Sequence, residues 1–176
     1  SATGAKTDGS FDKTLLNFYH IQKVSTNLNL KTFGLAQLSN KNLDSSEKLS
    51  LGGVSGVRAY PSGEASGDQG YKFSAELQTN LSSLINVDVL ASVFYDYGRI
   101  RQYKDKDIST SVVNNNEYSI SGYGVSFDSF ISNILSVKLV LAHTIGSNPG
   151  ASSPQGNDSD GKNITNRVLF VINSKF

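Results

Sequence analysis

The sequence predicts an all-β, antiparallel architecture, and three observations carry that expectation. Apolar residues recur at every second position over runs of about ten residues, the period of a strand with one apolar face. No stretch has a convincing amphipathic-helix pattern. The connections alternate between short and long, and the long ones are rich in Gly, Ser, Asn and Asp.

The period marks out seven strands. The first, Phe11 to Val24, is strand-like, but its faces do not separate cleanly. The second, Leu28 to Leu38, alternates with Asn29, Lys31 and Gln37. In the third, Tyr71 to Leu81, one face carries Tyr71, Phe73, Ala75, Leu77 and Leu81. The other carries Lys72, Ser74, Glu76 and Gln78. The fourth, Val87 to Tyr97, sets Val87, Val89, Ala91, Val93, Tyr95 and Tyr97 against Asp88, Leu90, Ser92, Phe94 and Asp96. The fifth, Tyr118 to Ser129, has Tyr123, Val125 and Phe127 on one side. In the sixth, Leu135, Val137, Leu139 and Leu141 alternate with Ser136, Lys138, Val140 and Ala142. In the seventh, Val168, Phe170, Ile172 and the terminal Phe176 share a face that Ser174 interrupts.

Short connections near 23–26, 80–86 and 130–133 alternate with long ones over 40–70, 99–116 and 146–166. Short turns at one end and long loops at the other are the layout of a bacterial outer-membrane barrel. A soluble β-sandwich or meander also alternates apolar and polar residues, so period alone leaves both open.

Composition narrows the function classes. Hydrophobic residues make up 38% of the 176, with no Trp, Met or Cys. A transmembrane barrel spreads its apolar residues over alternate positions, so this value is compatible with one. No run of 18 apolar residues predicts a membrane-spanning helix. The start, "SATGAKTDGS", lacks the charged and apolar regions of a signal peptide, so none is expected. The formal net charge of +1, with no basic stripe among aromatics, gives no reason to expect nucleic acid as a partner. Without cysteine there is neither a disulfide framework nor a thiolate metal site.

Catalytic patterns are missing as well. His20 and His143 are the only histidines and lack ligand spacing. "GVSG" and "EASG" are not nucleophile elbows, and no phosphate loop follows the glycines. "DSDG", Asp158 to Gly161, has part of a calcium-loop spacing without the remaining ligands and reads as a flexible outer loop. The expectation is no enzyme, no cofactor and no metal.

The loop at 40–70 is the conspicuous exception to hairpin economy. Its core, "LSLGGVSGVRAYPSGEASGDQGYKF" (49–73), places six glycines and Pro61 around Arg58. A hairpin needs only about two to five residues. An arbitrary loop arginine is ordinarily solvated. Carried into a barrel lumen it stays charged, since its pKa exceeds about 12, and it then requires a carboxylate. Phe94, Asp96 and Gly98 lie on the polar face of their strand, which in a barrel is the lumen. The loop itself reads as having little apolar surface, and Glu64 and Asp68 read as hydrated acids with a possible secondary contact role.

Two motifs give this a family resemblance. Val57-Arg58-Ala59-Tyr60 matches, at three of four positions, the Val-Arg-Gly-Tyr/Phe tetrad at the tip of the inward-folding loop of outer-membrane assembly and translocation barrels. Ala59 stands where glycine is usual. The flanking "LGG" and "GEASGDQG" resemble the two-partner secretion transporters, the haemolysin secretion/activation family. "FYDYG", Phe94 to Gly98, resembles that family's strand motif, whose aspartate receives the loop arginine.

The resemblance implies that residues 1–176 form the carboxyl-terminal part of a transmembrane antiparallel β-barrel of sixteen strands, preceded in the family by a plug helix and two POTRA domains. It implies a bacterial outer-membrane pore that moves an unfolded, secreted partner polypeptide outward without ATP. Arg58 and Asp96 would then latch the 40–70 loop in the lumen. The ending "RVLFVINSKF" resembles the signal that barrel-assembly machinery reads, so Phe176 is the expected assembly signal at the periplasmic end, with the long loops outside and the lipid bilayer around the strands. The alternatives are a barrel-assembly insertase and, from another class, a soluble β-rich binding or adhesion domain.

Overall fold

The computed structural model describes residues 7, 9–82, 88–106, 115–132, 134–152 and 154–174. Seven long strands make one antiparallel sheet: β1 (Lys13–Ser25), β2 (Leu28–Ser39), β5 (Gln69–Asn80), β6 (Val89–Arg101), β7 (Glu117–Ser132), β8 (Leu135–Ile145) and β9 (Asn166–Ser174). Two short strands, β3 (Leu49–Ser50) and β4 (Ser66–Gly67), pair with each other inside the 40–70 loop. The sheet order is β1-β2-β5-β6-β7-β8-β9, so each long strand pairs with the next long one in the chain. Among the described residues the sheet is open, with β1 and β9 as its edges.

The strands extend beyond the alternation that predicted them. β6 runs to Arg101 and β7 begins at Glu117, because Arg101 donates to Glu117 across the pair at 2.6 Å. The pattern inverts there: the outer face carries Arg99, Arg101 and Glu117, and the inner face carries the buried Ile100, Tyr118 and Ile120. On β1, Leu15, Leu16, Tyr19 and Ile21 are all at least half exposed. β1 is exposed on both faces along nearly its whole length, so it has no single buried face for its sequence to declare.

Elsewhere the two faces separate cleanly. The outer face exposes Tyr71, Leu77, Val93, Tyr95, Tyr123, Val168 and Phe170. The inner face buries Glu76, Gln78, Phe94, Asp96, Ser126, Val140 and Ala142. Register fixes which inner residues meet, since Ser74 lies opposite Asp96, Glu76 opposite Phe94 and Lys72 opposite Gly98.

What covers the inner face is the 40–70 loop. Leu49, Leu51, Val57, Ala59, Tyr60 and Ala65 of the loop pack with Phe94, Ile100, Tyr118, Ile120, Val140 and Ala142 of the sheet in one buried cluster. The expectation of a loop poor in apolar surface is therefore corrected. Its glycines hide a sparse but well-spaced apolar set. Burying a Leu or Val side chain contributes about 1.5–3 kcal/mol each, so the cluster outweighs any single ion pair in docking the loop.

Candidate functional site: a buried arginine on the barrel wall

The loop tip is built by its own backbone. Val57 N–H donates to the Leu51 carbonyl at 2.7 Å, Tyr60 N–H to Val57 at 3.1 Å, and Gly53 N–H to Tyr60 at 3.1 Å. Gly53 and Gly63 take positive φ, at 100° and 85°, where a side chain would be strained. Ala59 is not among the positive-φ residues, so alanine in the tetrad costs the tip no backbone strain.

The wall has a matching recess. A Cβ on Gly98 would lie 2.8 Å from the Leu51 side chain, and one on Gly122 would lie 2.5 Å from the Ala59 Cβ. Gly122 is the β7 partner of Asp96. The backbone of the tip thus rests on bare wall beside the aspartate.

Into this recess the loop carries Arg58, only 3% exposed, against Asp96, which is fully buried. Arg58 Nε donates to Asp96 Oδ2 at 2.8 Å and Nη2 donates to Oδ1 at 2.8 Å, a bidentate fork. The Arg58 backbone N–H adds a bond to Oδ2 at 3.1 Å, and Ser74 Oγ donates to Oδ1 at 2.8 Å. Four donors fill the approximately four acceptor sites of one carboxylate.

The remaining arm, Nη1, pairs with Glu76 Oε1 at 2.5 Å. Gln78 Nε2 donates to the other Glu76 oxygen at 2.9 Å, and Lys31 Nζ approaches it at 3.6 Å. The guanidinium carbon sits 3.4 Å from the Phe94 ring centroid, an intimate cation–π contact. Burial alone would lower the Arg58 pKa, but hydrogen bonding and charge from Asp96, then from Glu76, hold it above its ordinary value. Two carboxylates face Arg58 and Lys31, so the cluster balances its own charge.

Both acids after the tip are buried, which corrects the expectation that they are hydrated. Asp68 is fully buried and 4% of Glu64 is exposed. Asp68 Oδ1 accepts from Leu43 N–H at 3.1 Å and pairs with Lys48 Nζ at 3.0 Å, while Oδ2 accepts from Lys104 N–H at 2.9 Å. It closes the loop's base onto the β6–β7 connection. Glu64 bonds to Asn148 of the β8–β9 connection, and in the same connection Asp158 of "DSDG" is buried while the other three residues of that motif are exposed.

A buried arginine in a glycine recess, on a loop folded back over an antiparallel sheet, is the setting for the comparison with known proteins. The haemolysin secretion/activation protein family ShlB/FhaC/HecB matches residues 1–127. The chain belongs to that family. Heme/hemopexin transporter protein HuxB of Haemophilus influenzae strain 86-028NP is 38% identical over 92 residues, 52% of this chain and 16% of that protein. HuxB of H. influenzae strain KW20 / Rd is 36% identical over 91 residues, 51% of this chain and 16% of that protein. The matched part therefore spans about a sixth of these relatives' length. No solved structure matches the chain.

The haemolysin secretion/activation match takes in β1, β2, β5, β6 and the whole Arg58 cluster, and ends within β7. Val57, Arg58, Ala59 and Tyr60 all lie in the docked tip, with Phe94 beneath the guanidinium and Gly98 beneath Leu51. Phe176 lies outside the described residues. His143 pairs with Asn166 at the surface, and among the described residues no group of acidic or histidine side chains could hold a metal ion.

Sequence reasoning missed Glu76 and Ser74 as partners of Arg58. Alternation does place both on the inner face. Only the register, which sets Ser74 opposite Asp96 and Glu76 opposite Phe94, brings them to the same arginine.

Proposed function

We propose that this chain is part of a bacterial outer-membrane pore that carries an unfolded, secreted partner polypeptide outward, and that Arg58 and Asp96 latch the 40–70 loop in the position that secretion requires. The strands would face the lipid bilayer, and Phe176 would serve the barrel-assembly machinery as an assembly signal. The observation that carries the latch is the buried bidentate pair between Arg58 and Asp96. Family membership and the apolar outer face support the pore.

The pair suits a latch because its failure is costly and local. Removing one partner of a buried ion pair costs roughly 3–5 kcal/mol, since the other charge stays buried and unpaired. Strand pairing and the outer face are untouched by such a change. The loop's apolar cluster supplies adhesion, while the arginine fixes where along the wall the tip docks.

The test measures secreted partner per unit of inserted transporter in the full-length protein. Arg58→Ala is expected to abolish or strongly reduce export with insertion largely intact, and Asp96→Ala to do the same. The double variant is expected to be little worse than either, because a shared interaction is lost only once. Additive losses, or normal export by Arg58→Ala, would overturn the latch.

A further inference from the structure

We propose that the β8–β9 connection forms a second clasp on the same loop, with Glu64 and Arg167 as positioning residues at its two ends. The inference rests on the latch reading but concerns different residues. Glu64 stands on the limb that returns from the tip. Its Oε1 accepts from Asn148 Nδ2 at 2.9 Å and its Oε2 from the Ser159 backbone N–H at 2.6 Å. Both donors belong to the β8–β9 connection.

A chain of contacts then leads back to the tip. The same Asn148 nitrogen donates to Asp158 Oδ1 at 2.8 Å. Arg167, at the start of β9, holds Asp160 at 2.8 Å and Asp158 at 3.4 Å. Its Nε also reaches the carbonyl of Ala59, next to Arg58, at 3.4 Å. The connection and the first turn of β9 therefore grip the loop on both sides of Pro61, the connection through Glu64 and Arg167 through Ala59.

Solvated acids on a surface loop would point at water. Here Glu64 and Asp158 are both at least nine-tenths buried, and the Glu64 bonds cross from one loop to another. Burial pushes the Asp158 carboxyl up from its ordinary value, against the pull of Asn148 and Arg167. Two carboxylates, Asp158 and Asp160, share the Arg167 guanidinium, and Asn148 links Asp158 to Glu64. Such a cluster is satisfied when closed, and its acids are well hydrated when the two loops part. That makes the clasp reversible, whereas parting Arg58 from Asp96 leaves the aspartate on the wall.

The experiment uses the full-length transporter, inserted in the membrane, with Glu64→Cys and Asn148→Cys introduced together; this segment contains no cysteine. Unbridged, the pair of substitutions is expected to lower export per inserted molecule roughly ten-fold, equivalent to about 1.4 kcal/mol. Bridging the two thiols with a short, reducible reagent is expected to restore export, and reduction to remove it again. A structural defect would not be repaired by one tether. Separately, Arg167→Ala is expected to speed external maleimide labelling of a cysteine placed at Ser55, with Arg167→Lys intermediate. Full export without the bridge, failure of the bridge to restore it, or unchanged labelling in Arg167→Ala overturns the clasp. Normal export by Arg58→Ala overturns the latch instead, and the labelling arm still decides whether the connection holds the loop.

Discussion

Tyr60 shows how far one side chain can depart from its surroundings. It is 1% exposed and its hydroxyl has no hydrogen-bond partner among the described residues. A buried polar atom left without a partner costs about 1–3 kcal/mol. Tyr60→Phe is therefore expected to hold the loop at least as firmly, with export unchanged, measured by thermal stability and by secreted partner. Burial, reinforced by Asp158 and Glu64, pushes the Tyr60 phenol up to about 12 from an ordinary 10.0. The docked loop therefore keeps the proton that a released loop gives up. The corresponding stability is present below about pH 10 and is lost as pH rises from there towards 12. Loop accessibility in Tyr60→Phe should lack that alkaline component; an identical profile in both proteins would refute the assignment. None of this was legible in the sequence, where Tyr60 was only the last letter of a tetrad.

The loop and the strand β6 explain each other. The motif "FYDYG" could be read for its aspartate and for its face, because alternation with Val93, Tyr95 and Tyr97 points Phe94, Asp96 and Gly98 inward. The need for Gly98 could not be read, since it depends on Leu51 arriving from about fifty residues away in the chain. The same holds for Gly122, which no motif singled out. Adding a methyl group to a filled contact costs typically about 1–3 kcal/mol. Gly122→Ala would set its Cβ 2.5 Å from Ala59 and 2.9 Å from the His143 carbonyl oxygen, so the tip must lift. Faster external labelling of a cysteine at Ser55, with barrel insertion preserved, is the expected result. Labelling at the original rate would mean that the wall yields instead of the loop.

At the scale of the whole chain, the seven strands, and the faces of those after the first, were the legible part, because a two-residue period survives wherever only one face is apolar. The buried acids were not legible: Glu64 and Asp68 gain their partners from connections that sequence distance does not bring together. The outer face is the surface on which the membrane reading stands. Spin labels at Tyr71, Val93 and Phe170 in the full-length protein are expected to meet lipid-soluble quenchers, and labels at Lys72 and Glu76 to escape them. The reverse pattern would reject the assigned faces. Among the described residues β1 and β9 are edges with unpaired backbone, and in a membrane such edges would need further strands on both sides or closure through them. The glycine recess has one more consequence. Gly98 lies opposite Ile120 and Gly122 opposite Asp96, so each bare patch is bordered by an inward-facing side chain, one apolar and one charged. A loop that withdraws would uncover both, together with Phe94 and Ile100. Water against that apolar surface favours the loop's return, so the empty seat is a state the protein leaves rather than rests in.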